Sequence, residues 1–87
     1  MNEQALAIGV IKTAIDDLTK INKRIAKLTK KIEQEPTLEY TEKLKRSIND
    51  KEQVIKFFEN EEWCRFWCDI AGVTYEALMD RVRGINA

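Results

Sequence analysis

Cys64 and Cys68 are the residues best placed to do chemistry. They stand four apart in a chain with no other cysteine and no histidine. On a helix that spacing puts both thiols on one face. It is not the C-x-x-C spacing of dithiol redox sites. Two thiolates complete a tetrahedral zinc site only if a second chain supplies two more, and a disulfide along one helix would need local distortion. Buried, reduced cysteines acting as small hydrophobes are the expected outcome. The lack of histidine removes the commonest general base and triad member. Ser47 is the one serine and lies among charges, and no Gly-rich phosphate loop is present. The reading is therefore non-enzymatic, with no catalytic, cofactor-binding or metal-ligating residues.

Two groupings point to binding instead. Lys20, Lys23, Arg24, Lys27, Lys30 and Lys31 form a run free of acids. At helical spacing they make a stripe that could follow a phosphate backbone without reading bases, or dock on an acidic protein. A solvated face that balances an acidic neighbour is the plainer reading. The second grouping is aromatic. Phe57, Phe58, Trp63, Phe66 and Trp67 fall within eleven positions. They are expected to form a satellite core with Leu78 and Val82, or to be covered across a protein contact, because large exposed apolar patches mark interfaces.

Cys68, Gly72, Val73, Leu78 and Val82 also follow the inner spacing of a helix-turn-helix, which needs a small residue and a turn glycine where the helices cross. The second helix of that pair carries Glu76 and Asp80 beside Tyr75, Arg81 and Arg83. Carboxylates there oppose a groove-reading role.

The residues Phe57-Phe58, Trp63-Cys64, Cys68, Ala71-Gly72 and a following short helix with Arg81 resemble a group of small tailed-phage and prophage proteins. In that group a helical hairpin leads into an aromatic segment of this kind. The resemblance covers roughly a third of the chain. It implies a phage-accessory setting, where small helical proteins bind host proteins or nucleic acid.

The elements that must position these groups are helical. Ile11, Leu18, Ile25 and Ile32 recur every seven residues, and Ile8, Ile15, Asn22 and Thr29 form a second row. Taking the second row as a makes the first d, with Ala14, Ile21 and Leu28 at g. In this frame the six basic residues lie at b, c and f, opposite the seam. Asn22, at a, is a candidate for setting register, or else a solvated edge residue. Pro36 ends the first helix near Gln34. Thr37 or Thr41 could cap a second helix from about Leu38 to Glu59, with Leu44, Ile48, Ile55 and Phe58 inward. The short connection makes the two antiparallel and brings Glu39 and Glu42 near the basic end of the first. Gly72 reads as a helix stop. Thr74 reads as the cap of a last helix that Gly84 ends.

The expected fold is thus all-α: a long antiparallel coiled-coil helical hairpin followed by two short, helix-turn-helix-like helices at its open end. One domain covers 1–87, with the hairpin over 3–60 and the aromatic pair over 61–84. A hydrophobic fraction of 44% with zero formal net charge argues against disorder. The apolar run at 5–11 is broken by Gly9 and too short for a bilayer. With no basic leader, a soluble protein of a reducing cytoplasm is expected. So thin a core favours a homo-oligomer, with a dimer through the a/d/g face. The functional expectation is a protein–protein interaction module acting on a host or phage protein, using Phe57, Phe58, Trp63, Phe66 and Trp67 or the charged hairpin faces. The alternative is a small DNA-binding accessory protein using the basic stripe and the C-terminal helices.

Overall fold

The computed structural model describes residues 2–86. Four helices follow in order: α1 (Glu3–Gln34), α2 (Leu38–Glu59), α3 (Glu61–Ala71) and α4 (Tyr75–Asn86), with no strand among the described residues. The molecule measures 48 × 26 × 17 Å, and α1 alone accounts for its length at about 1.5 Å per residue.

Each helix starts and stops for a local reason. The Asn2 side chain accepts from Gln4 N–H at 2.9 Å and caps α1. Glu35 is driven out of helical geometry (φ −148°, ψ 87°) by Pro36. Thr37, not Thr41, caps α2, its hydroxyl accepting from Tyr40 N–H. Asn60 alone separates α2 from α3: its backbone N–H donates to Lys56, and its side chain accepts from Trp63 N–H. Gly72 closes α3 in the left-handed region (φ 79°), with Val73 N–H reaching Cys68 O and Gly72 N–H reaching Asp69 O. This paired closure satisfies two carbonyls that the helix end leaves open. A side chain at Gly72 would also meet the Gln4 amide at 3.3 Å. Gly84 does not stop α4, which runs on to Asn86. Nothing lies within 4 Å of where its Cβ would be, so no contact opposes the helix there.

The hairpin packs α1 against α2, but its seam is shifted from the expected one. The buried residues of α1 are Ala7, Ile11, Leu18, Ile21 and Leu28. These are the d and g rows. The a row does not share the seam: Ile8 is exposed, Ile15 and Asn22 are half-buried, and Thr29 is exposed. The a/d/g face expected to join two copies is therefore largely used within one chain. On α2, Ser47 is buried and the neighbouring Ile48 is exposed, so the inward face is rotated from the Leu44–Ile48 reading. Ser47 fits because its hydroxyl donates to Lys43 O and accepts from Arg24 Nε at 2.8 Å. Glu39 pairs with Lys43 on its own helix. The charge pair across the hairpin is Arg24–Asp50 at 3.0 Å.

α3 and α4 fold against the open end of the hairpin. Gln4 Nε2 donates to Ala71 O, and Asn22 Nδ2 donates to Ile85 O and Asn86 Oδ1. These bonds tie the end of α3 to the start of α1, and the end of α4 to the middle of α1. Asn22 thus holds the end of α4 against α1 and is not a free edge residue. The core gathers where all four helices meet, around Phe58, Leu18, Cys64, Cys68, Ala7, Leu78 and Val82.

Candidate functional site

α3 turns its small residues inward and its large ones outward. Cys64, Cys68 and Ala71 recur at four and three residues and are buried. Their size lets α3 lie close to α1, where Ala7 is also fully buried. The opposite face then has no core to enter. Trp63 and Phe66 each remain 48% exposed. Their rings stack at 5.4 Å with planes only 9° apart. Trp67 stands edge-on to both, at 5.5 Å and 5.4 Å, and is half-buried. Such pairs hold one another in fixed geometry, worth about 0.5–1.5 kcal/mol beyond burial. The result is an aromatic surface bordered by Asn60 and Glu62.

The five aromatics expected to act together therefore divide. Phe58 is fully buried and belongs to the core with Leu78 and Val82, and Phe57 packs half-buried against its edge. Trp63 and Phe66 lie outside the core. Burial of apolar area predicts the reverse, but close helix approach selects small residues for the interface.

Arg65 fixes the orientation of α3 relative to α4. Its guanidinium donates to Glu61 and Glu76, both at 2.9 Å, and lies over the Tyr75 ring at 4.6 Å. Tyr75 in turn donates its hydroxyl to Phe58 O at 2.9 Å. The Glu76 carboxyl is held below its usual range by its own backbone N–H and by Arg65. Asp80 pairs with Arg83. On the helix-turn-helix-like pair, Cys68, Leu78 and Val82 are buried as its spacing requires, whereas Val73 is exposed.

The basic stripe also divides, because not all of it faces away from α2. Arg24 bonds Ser47 and Asp50, and Lys31 sits 5.5 Å over the Tyr40 ring. Lys20, Lys23, Lys27 and Lys30 are exposed and carry no ion pair among the described residues.

Both cysteines are free thiols. Burial, and then the neighbouring Cys68, push the Cys64 thiol up to about 12; burial also raises Cys68. Thiolate is the reactive form. Neither thiol should react with a colorimetric disulfide reagent at neutral pH in the folded protein, and both should react once denaturant is added. Rapid labelling of native protein would show that the cysteines are accessible. No group of three or more metal-ligating side chains is assembled among the described residues.

Compared with protein-family models, curated proteins and solved structures, the chain matches none of them. No helix among the described residues is long and apolar enough to cross a membrane.

The sequence does not name the partners of two polar residues. Ser47 and Asn22 are polar residues at near-heptad positions, and only their tertiary partners assign them a role. The signal for the exposure of Trp63 and Phe66 is the Cys64-Cys68-Ala71 row, because small residues mark the face of closest helix approach.

Proposed function

We propose that this chain is a non-enzymatic, phage-type accessory protein that works as a protein–protein interaction module in the host cytoplasm, blocking or recruiting a host protein. The observation that supports this reading is the stacked Trp63–Phe66 pair, half exposed on a well-braced helix. Tryptophan is enriched among the few residues that dominate interface energies, and truncating such an anchor to alanine costs about 2 kcal/mol or more. Rigid aromatics also lose little side-chain entropy on binding. Self-association, with a dimer favoured, belongs to the same reading.

The test is affinity capture from a bacterial host lysate with the native chain and a Trp63→Ala/Phe66→Ala variant, followed by titration of each retained protein. The variant should remain helical by circular dichroism, since both side chains lie outside the core. A specific partner should bind it at least about 30-fold more weakly, the equivalent of 2 kcal/mol. Equal binding by both chains would sink this surface as the docking site.

A second reading, a small DNA-binding accessory protein, is favoured by the unpaired stripe of Lys20, Lys23, Lys27 and Lys30. If these four engage phosphates, binding to duplex DNA should fall with a log–log salt slope of about −3.6, at −0.9 per phosphate. Changing all four to glutamate should abolish it. No binding at low salt would remove this reading.

A further inference from the structure

The aromatic surface of α3 lies in an acidic stretch of the chain. Between Lys56 and Arg81 the sequence carries Glu59, Glu61, Glu62, Asp69, Glu76 and Asp80 and a single cation, Arg65. That cation is taken by Glu61 and Glu76, and Asp80 pairs with Arg83. Lys56 stands three residues before Glu59 on α2, so it offsets that carboxylate. Glu62 and Asp69 are exposed and have no ion-pair partner among the described residues. Glu62 comes four residues before Phe66 and Asp69 three after it, so the helix sets one carboxylate a turn to either side of that ring. Glu62 also lines the shallow hollow of about 390 Å³ beside Trp63 and Phe66. A first-turn carboxylate such as Glu62 suits the positive end of a helix. Asp69 stands in the last turn, where a carboxylate opposes the dipole and where α3 has no basic residue. Helix stability does not account for it.

We propose that this surface receives a basic segment of a partner protein, with an arginine or lysine laid against the exposed Trp63 and Phe66 rings and held between Glu62 and Asp69. An aromatic face attracts a cation through its quadrupole, tryptophan most strongly. Arginine fits best, because its planar guanidinium both stacks on rings and bonds carboxylates. The inward-turned side of the same helix already shows the arrangement: Arg65 lies over the Tyr75 ring at 4.6 Å while its guanidinium donates to Glu61 and Glu76. The outward side offers the same combination of rings and two carboxylates, and no cation of the described residues pairs with either. An acidic or phosphate-bearing partner would meet like charge here. A wholly apolar one would strip water from the carboxylates and leave them unpaired. The inference rests on the interaction-surface reading above and names the chemistry of the partner.

The decisive experiment selects a random-peptide library on the full native chain and measures each enriched peptide by fluorescence anisotropy at low and near-physiological salt. Each is titrated against the native chain, Trp63→Ala/Phe66→Ala and Glu62→Lys/Asp69→Lys, with native helicity checked for both variants. The enriched peptides should carry arginine or lysine and a net positive charge. The aromatic variant should bind them at least about 30-fold more weakly. The charge-reversed variant should bind them at least about tenfold more weakly at low salt. Raising the salt should weaken native binding and shrink the effect of the reversal. Peptides that need Trp63 and Phe66 but carry no cation, or that bind the charge-reversed variant as well as the native chain, keep the aromatic surface as a docking site and overturn the basic partner. No enrichment, or peptides indifferent to the loss of both rings, overturns the aromatic surface and this inference together. A native dimer in sedimentation equilibrium that Glu62→Lys/Asp69→Lys dissociates seats a second copy there and overturns a foreign partner.

Discussion

Phe58→Ala should cost about 3–5 kcal/mol in urea unfolding, the range for emptying a buried aromatic site. Phe58 has no solvent exposure and is the largest fully buried side chain. It sits next to the point where the chain turns from α2 into α3, with Phe57 edge-on at 5.3 Å. Its carbonyl receives the Tyr75 hydroxyl, so the residue links three elements: its ring fills the core, and its backbone anchors α4. Truncation would leave a cavity ringed by Leu18, Cys64 and other residues of the shared core. Small domains have total stabilities of about 5–15 kcal/mol, so the variant should approach the unfolding threshold at room temperature. Phe58→Leu, which keeps much of the volume, should cost less than half as much. A loss below about 1 kcal/mol for Phe58→Ala would show that the four helices do not converge on this ring.

Leu18→Ala should cost about 3–5 kcal/mol, while Ile32→Ala, in the same heptad row, should cost closer to 1 kcal/mol. Leu18 is fully buried, because α2 packs on one side of it and the C-terminal helices on the other. Ile32 lies near the hairpin tip and is half-buried. There only two helices are present, and two helices cannot enclose a side chain from all sides. Parallel urea curves would check this, since the midpoints report the difference if the slopes agree. Equal losses at the two sites would mean that the hairpin behaves as a uniform coiled coil and that α3 and α4 add little cover.

That contrast marks the limit of what periodicity conveys. Ile11, Leu18, Ile25 and Ile32 are equivalent as a pattern, and the pattern correctly implies one helix face. It cannot rank them, because burial depends on which elements lie opposite. The seam shift has the same origin. Ile8, Ile15, Asn22 and Thr29 are as regular as the g row of Ala14, Ile21 and Leu28. The choice between them rests on the angle at which α2 returns, which the heptad pattern of α1 does not contain.

The candidate surfaces were legible in part. The lysine stripe and the aromatic segment stand out as residue types. Their division into engaged and available members does not, because it depends on contacts between residues far apart in the chain: Arg24 with Asp50, and Lys31 with Tyr40.

By itself, the sequence determined the all-α class and the breaks at Pro36 and Gly72. It also determined the antiparallel hairpin, because caps, φ restrictions and helical periodicity act between residues a few positions apart. The buried, reduced cysteines follow from the sequence as well, but only the tertiary structure decided that Trp63 and Phe66 face solvent. It also decided that Asn22 holds the end of α4 and that Ile8 stays exposed. Those outcomes depend on how closely whole helices can approach one another. That distance is set by matching small residues on two separate elements, Ala7 on one and Cys64, Cys68 and Ala71 on the other, which no local pattern brings together.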